Sequence, residues 1–154
     1  MSSESTFADP TAARREERPR RTVLIAEDND DFRELLTVFL SGRGYEVVGA
    51  KDGREAVAAA LRYRPALVLM DIGLPGVDGL SAAREIRGAL TAAETVILVV
   101  SAYDSAEFRA EAIEAGCAMY LVKPIEPAAL HATIDLLLRG REGGGAGAVG
   151  GRSE

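Results

Sequence analysis

The sequence predicts an α/β fold: five parallel strands, each followed by a helix, doubly wound into one sheet. Three observations predict it. Short apolar, β-rich stretches recur at residues 22–26, 45–50, 67–71, 95–100 and 117–122. Longer segments with apolar residues at helical spacing separate them. The third and fourth stretches also lack polar alternation, as strands buried on both faces of a parallel sheet do. Strict β-α alternation with short connections implies right-handed crossovers and helices on both faces. The expected strand order is 2-1-3-4-5.

Composition sets the outer limits. With 154 residues, there is room for one domain with a sizeable core. Apolar residues make up 47% and charged residues 27%, the balance of an ordinary globular protein. A net charge of −6 argues against bulk nucleic-acid binding, which needs a basic face. No apolar run approaches the roughly 20 residues of a membrane helix, and the first ten residues lack the apolar core of a secretory signal. The single cysteine, Cys117, cannot form an internal disulfide, and no His/Cys cluster offers a zinc site. A reduced, cytoplasmic protein is the expectation, with Cys117 a buried structural thiol.

Residues 1–21 are polar and rich in arginine, with Arg14, Arg15, Arg18, Arg20 and Arg21 around Glu16 and Glu17. They read as a disordered, solvated extension, with a basic arm for an acidic partner as the alternative. After the first strand, Phe32, Leu35, Leu36, Phe39 and Leu40 mark a helix. Asp31 and Glu34 form its expected capping box, and Gly42 and Gly44 end it. The second helix starts at Asp52–Glu55, buries Ala56, Val57, Ala60 and Leu61, and stops before Pro65. Residues 75–79 carry turn chemistry. A third helix presents Leu80, Ala83 and Ile86. A fourth is framed by Asp104 and Glu107, with Phe108, Ala112 and Ile113 inward and Gly116 at its end. A fifth has Pro127 in its first turn and Leu130, Ile134, Leu137 and Leu138 on its core face. From Gly140 to residue 154 the chain is a Gly-rich, flexible tail. The expected organisation is 1–21 extension, 22–139 domain and 140–154 tail, with no internal repeat.

The chemistry gathers where the strands end. Asp71 follows the third strand, Glu27 and Asp28 the first, Ser101 the fourth and Lys123 the fifth. A lone Asp after a strand is ordinarily a loop cap. In a parallel sheet, however, all strand C-termini lie on one edge, where ligands of open α/β sheets bind. Strand 2, on the outside, ends in Gly49 and Ala50 with nothing reactive. Three carboxylates within a few ångströms repel by about 4 kcal/mol per pair at 4 Å and an effective dielectric near 20. Either one protonates or a cation binds. An all-oxygen site suits Mg²⁺ (or Mn²⁺), which keeps several waters and pairs with phosphate. An acidic nucleophile, a hard cation, a lysine and a hydroxyl are the parts needed to receive a phosphoryl group.

Residues 22–139 resemble the receiver domain of two-component response regulators, chemotaxis regulators among them. The motifs are Leu24-Ile25-Ala26-Glu27-Asp28, Met70-Asp71-Ile72-Gly73-Leu74-Pro75-Gly76-Val77-Asp78-Gly79, Val100-Ser101-Ala102 and Tyr120-Leu121-Val122-Lys123-Pro124. The resemblance implies a flavodoxin-like three-layer sandwich. It implies Asp71 as phosphoacceptor, with a sensor histidine kinase or histidine phosphotransfer protein as donor. Asp28, Glu27, Asp71 and the Gly73 carbonyl would hold Mg²⁺. Lys123 would contact the phosphoryl group, and the Lys123–Pro124 bond would be cis. Ser101 and Tyr120 would be the switch residues, though a helix cap and a surface aromatic are their plainer readings. Gly73 and Tyr103 would flank the path of attacking water and set the phosphoryl lifetime. The readout surface would be the fourth helix, fifth strand and fifth helix, with Phe108, Arg109, Glu111, Met119, Tyr120 and His131. His131 is expected to face solvent or a partner.

The function so implied is a stand-alone phosphoacceptor that signals to an unknown protein target, not an enzyme, and touches neither nucleic acid nor membrane. A phosphorelay intermediate or a phosphate sink is the alternative. A haloacid-dehalogenase-type phosphohydrolase built on Asp28 and Asp30 is a remote one, since Phe32 stands where it would want Thr or Ser. A degenerate receiver acting only as scaffold would not keep every pocket residue.

Overall fold

The structure, a computed structural model, describes residues 21–142. Residues 1–20 of the expected extension (1–21) and residues 143–154 of the expected tail (140–154) lie outside the described residues, while residues 140–142 of that tail belong to the last helix. In chain order the elements are β1 (Thr22–Ala26), α1 (Asp30–Ser41), β2 (Glu46–Ala50), α2 (Gly53–Tyr63) and β3 (Leu67–Asp71). Then come α3 (Gly79–Ala89), β4 (Val96–Ser101), α4 (Ala106–Glu114), β5 (Met119–Val122) and α5 (Pro127–Glu142). The five strands are parallel in the order β2-β1-β3-β4-β5. Among the described residues no helix is long and apolar enough to cross a membrane.

Alternate strand residues feed two separate cores, because successive side chains point to opposite faces. Val23, Ile25, Leu67, Leu69, Leu98 and Val100 pack with Leu36 and Leu40 of α1 and Leu130, Ile134 and Leu138 of α5. Leu24, Val68, Met70, Ile97 and Val99 pack against α2, α3 and α4 through Ala56, Ala60, Ala83, Ile86 and Ala112. Small alanines on that side let the helices lie close to the sheet. Helices on both faces of a parallel sheet are what the alternation predicts, and the three-layer, flavodoxin-like sandwich is what the resemblance implies.

Several local expectations change. The cap of α1 is Asn29, whose side chain accepts from the Phe32 amide at 2.8 Å. The Asp31–Glu34 capping box does not form, because the helix has already begun at Asp30. Asp52 does cap α2, accepting from the Glu55 amide at 2.8 Å, while Glu55 accepts from Lys51 N. Ser105, not Asp104, caps α4. Leu61 and Ile113, expected inward, are 44% and 72% exposed, and Leu35, one of the residues that mark the first helix, is 52% exposed. None of the three joins either core cluster. β5 begins two residues later than expected, since the backbone at Cys117 turns back to Ala112 O at the end of α4. Cys117 is buried, and burial pushes its thiol up to about 11 despite nearby arginines. His131 does not lie on the readout face. It is half-buried against α1, edge-on to Phe39 and Tyr45 with ring centroids 6.3 and 6.1 Å away.

Candidate functional site

Strand register builds the site. Ala26 pairs with Met70, so Glu27 and Asp71 emerge side by side. Asp71 pairs with Val100 and Ser101 with Val122, so Ser101 and Lys123 follow one step further along the same edge. Strand 2 ends at Ala50, whose carbonyl accepts the Glu27 amide at 2.9 Å and extends the ladder by one bond.

Lys123 ties the cluster together. Its ammonium donates to Glu27 Oε1 at 2.9 Å and to Asp71 Oδ2 at 2.8 Å. The Lys123 amide donates to Ser101 O at 2.7 Å, and the Lys123–Pro124 bond that follows is cis. The Phe32 ring shields one side, its centroid 5.3 Å from Nζ. The remaining carboxylate oxygens are also engaged. Glu27 Oε2 accepts the Asn29 amide at 3.0 Å, and Asp71 Oδ1 accepts the Gly73 amide at 2.9 Å. Glu27 and Asp71 are buried, whereas Asp28 is exposed.

The electrostatics follow from burial and partners. Burial, with Asp71 alongside, holds the Glu27 carboxyl above the usual carboxylate range, although Lys123 and the Asn29 amide pull the other way. Burial works against the charged form of Lys123, but its hydrogen bonds to Asp71 and Glu27 outweigh it and raise its pKa. Both directions describe one ammonium shared by two buried carboxylates.

Glu27, Asp28 and Asp71 offer oxygens that all lie within 4.8 Å of one another. One ammonium balances only one of the three charges. The donors are all oxygen, with Gly73 backbone exposed beside them. That chemistry fits a hard divalent cation such as Mg²⁺ or Mn²⁺. Asp30 is not part of the cluster; its carboxylate is 79% exposed and pairs with Arg33. An Asp28–Asp30 catalytic pair of the phosphohydrolase type is therefore not what the fold assembles.

The switch candidates meet at one backbone unit. Ser101 is fully buried, and its Oγ accepts the Tyr103 amide at 2.9 Å. The Tyr120 hydroxyl donates to the Tyr103 carbonyl at 2.7 Å. The Tyr120 ring lies under the Arg109 guanidinium, 4.8 Å from its centroid, and Arg109 pairs with Asp104 at 3.0 Å. The Tyr103 side chain is 62% exposed and tilts against Phe108.

Two contributions escape reading from sequence. Gly79 looks like turn chemistry, yet its role is steric. A Cβ there would lie 2.3 Å from Asp71 O and 2.5 Å from Ile72 Cα. Only glycine lets α3 start directly against the backbone of Asp71. Asn29 sits within the run Glu27-Asp28-Asn29-Asp30-Asp31, where nothing in the sequence singles it out. Its cap and its amide bond to Glu27 Oε2 make it the joint between helix and cluster.

Comparison with known proteins agrees with this arrangement. The model of the response regulator receiver domain matches residues 23–135. The transcriptional regulatory protein PdtaR of Mycobacterium tuberculosis is 43% identical over 119 residues, covering 77% of this chain and 56% of that protein. The chain spans about half the length of the curated relatives it matches. A receiver domain protein (CheY-like) from Methanospirillum hungatei superposes with a TM-score of 0.77 at 27% identity, covering 80% of this chain and 98% of that one. A Burkholderia pseudomallei response regulator, solved with a phosphorylated aspartic acid and a calcium ion, superposes at 0.68 with 28% identity, over 73% of this chain and 65% of that one.

Proposed function

The chain belongs to the response regulator receiver domain family, and from that premise we propose that it accepts a phosphoryl group on Asp71. The donor is the phosphohistidine of a sensor histidine kinase or histidine phosphotransfer protein. An Asp71 carboxylate oxygen forms the new P–O bond while the P–N bond to the donor imidazole breaks. The electron pair goes to the imidazole nitrogen, which takes up a proton. Hydrolysis by water later returns Asp71 and releases phosphate. The protein acts as a phosphoacceptor and signals through protein contact, not as an enzyme turning over a free substrate.

The observation that carries this reading is the ammonium of Lys123 bridging buried Asp71 and Glu27, with the Asp28 carboxylate within reach. Glu27, Asp28, Asp71 and the Gly73 carbonyl would hold Mg²⁺, which neutralises charge on a transferring phosphoryl group. Lys123 already faces Asp71 and is placed to exchange one carboxylate contact for a phosphoryl oxygen. The phosphorylated aspartate and calcium ion of the Burkholderia pseudomallei relative support the same assignment here.

The signal leaves through Tyr103. Its amide is bound by Ser101 and its carbonyl by Tyr120. When the Ser101 hydroxyl turns to donate to a phosphoryl oxygen, it releases the Tyr103 amide and loosens the hold on Tyr120. The equilibrium of the loop between β4 and α4 then shifts, and with it the surface of α4, β5 and α5.

Incubation with Mg²⁺ and acetyl phosphate tests the reading. We expect the mass of one added phosphoryl group on the wild type and none on Asp71→Asn. No gain on either protein refutes it.

A further inference from the structure

The connection between β1 and α1 is only Glu27, Asp28 and Asn29. Asp28, in its middle, is exposed, and among the described residues its carboxylate makes none of the hydrogen bonds that shape the connection. Its position is inherited from its neighbours. One side chain brackets it. Arg33 Nη1 donates to Glu27 O at 2.7 Å, on one side of Asp28. Arg33 Nη2 donates to Asp30 Oδ1 at 2.6 Å, on the other. The guanidinium is a planar fork, so two bonds fix its orientation as well as its place.

The stem of Arg33 has its own support. It crosses Gly49 of β2, where a Cβ would lie 3.2 Å from Arg33 Cδ. Glycine at that position leaves the channel in which the stem lies. The Arg33 side chain is accordingly only 22% exposed. Edge strand β2 carries no reactive residue, but it supplies the floor for this strut. The Glu27 amide is bound to Ala50 O of the same strand. Both polar groups of the Glu27 backbone are thereby fixed.

We infer that Arg33, seated over Gly49, is a positioning residue that holds Glu27 and Asp28 in the geometry that binds a divalent cation. The inference rests on the metal-dependent reading given above. It makes a prediction opposite in sign to simple electrostatics. Arg33 is a cation beside an acidic cluster, so as a mere charge it would weaken Mg²⁺ binding, and removing it would tighten binding. As a strut it strengthens binding, and losing the fork weakens it. Groups that orient metal ligands from outside the coordination sphere typically change affinity 10- to 100-fold.

The test is calorimetric titration of the whole chain with MgCl2 alone, with the melting temperature of the metal-free protein alongside. Arg33→Lys keeps the charge but cannot bridge both partners. We expect its Mg²⁺ Kd to rise about 10-fold, with metal-free melting lowered by only a few degrees, because the Arg33–Asp30 pair is exposed at one end and the retained ammonium can still reach one of the two acceptors. Gly49→Val keeps Arg33 and crowds its stem, so its Kd should rise also. An unchanged Kd in Arg33→Lys, or tighter binding in Arg33→Met, overturns the inference while leaving the phosphoacceptor reading intact. If the wild type takes up no Mg²⁺, both fall together.

Discussion

Replacing Lys123 by Met keeps most of the side-chain volume and removes the one ammonium shared by Glu27 and Asp71. Both carboxylates are buried, at 4% and 8% exposure, so neither finds bulk water once the lysine is gone. Removing one partner of a buried ion pair costs about 3–5 kcal/mol. The Lys123 side chain is itself 26% exposed, so water already weakens its end of both contacts. We therefore expect a loss of about 2–3 kcal/mol at pH 7, or roughly 10 °C in melting temperature for a domain of this size. The loss should depend on pH. Burial already raises the Glu27 carboxyl, and Lys123 is the main influence holding it down. Without Lys123 its pKa climbs further. A carboxyl raised in the folded state costs nothing below the unfolded pKa of about 4.3, and the cost appears as pH rises through the folded pKa. The gap between wild type and variant should be widest at pH 8 and narrow towards pH 5. The raised pKa of Lys123 sets the upper limit: its contribution is full below about 10.4 and is lost as pH rises through its folded value. Added Mg²⁺ should stabilise the variant more than the wild type, because a cation replaces the missing charge. Melting followed by circular dichroism at pH 5, 7 and 8 measures all of this. A gap under about 2 °C, or one independent of pH between 5 and 8, would refute the reasoning.

Other consequences are equally open to measurement. Gly79→Ala should destabilise by about 2 kcal/mol and slow labelling by acetyl phosphate, because its Cβ would lie 2.3 Å from Asp71 O; at an ordinary helix position the same change stabilises by about 1 kcal/mol, so the sign alone decides. At Gly73 a Cβ would meet only Asp71 Oδ1, at 3.5 Å, so Gly73→Asn should fold normally and, with Tyr103→Glu, alter the phosphoryl lifetime measured by timed mass spectrometry; an unchanged lifetime removes both residues from that role. Cys117, with its thiol pushed by burial to about 11, has roughly one thiolate per thousand at pH 8. Iodoacetamide should leave it unlabelled in the native protein and alkylate it rapidly in urea; rapid native labelling would mean that the packing beneath α4 is open.

The two periodicities of the chain, two for strands and 3.6 for helices, were enough to place all five β-α units; the strand order, which alternation alone leaves open between doubly wound arrangements, is fixed by the pairing β2-β1-β3-β4-β5. The candidate site was legible for the same reason. A parallel sheet sends every strand C-terminus to one edge, so Glu27, Asp28, Asp71, Ser101 and Lys123 could be gathered from their order in the chain. What the pattern could not carry was anything decided by contact between distant segments. Leu35, Leu61 and Ile113 satisfy helical spacing yet stand outside, because the width of a buried stripe depends on the surface it meets. His131 turned to Phe39 and Tyr45 because α5 packs beside α1, a relation that spacing within α5 does not encode. Gly79 and Gly49 look like any loop and strand glycine until Asp71 and Arg33 are seen lying against them. Residue types and their order named the chemistry at the sheet edge. The strut, the close approaches and the shared ammonium that hold it in place exist only where the chain meets itself, since a distance between residues far apart in sequence is a property of packing.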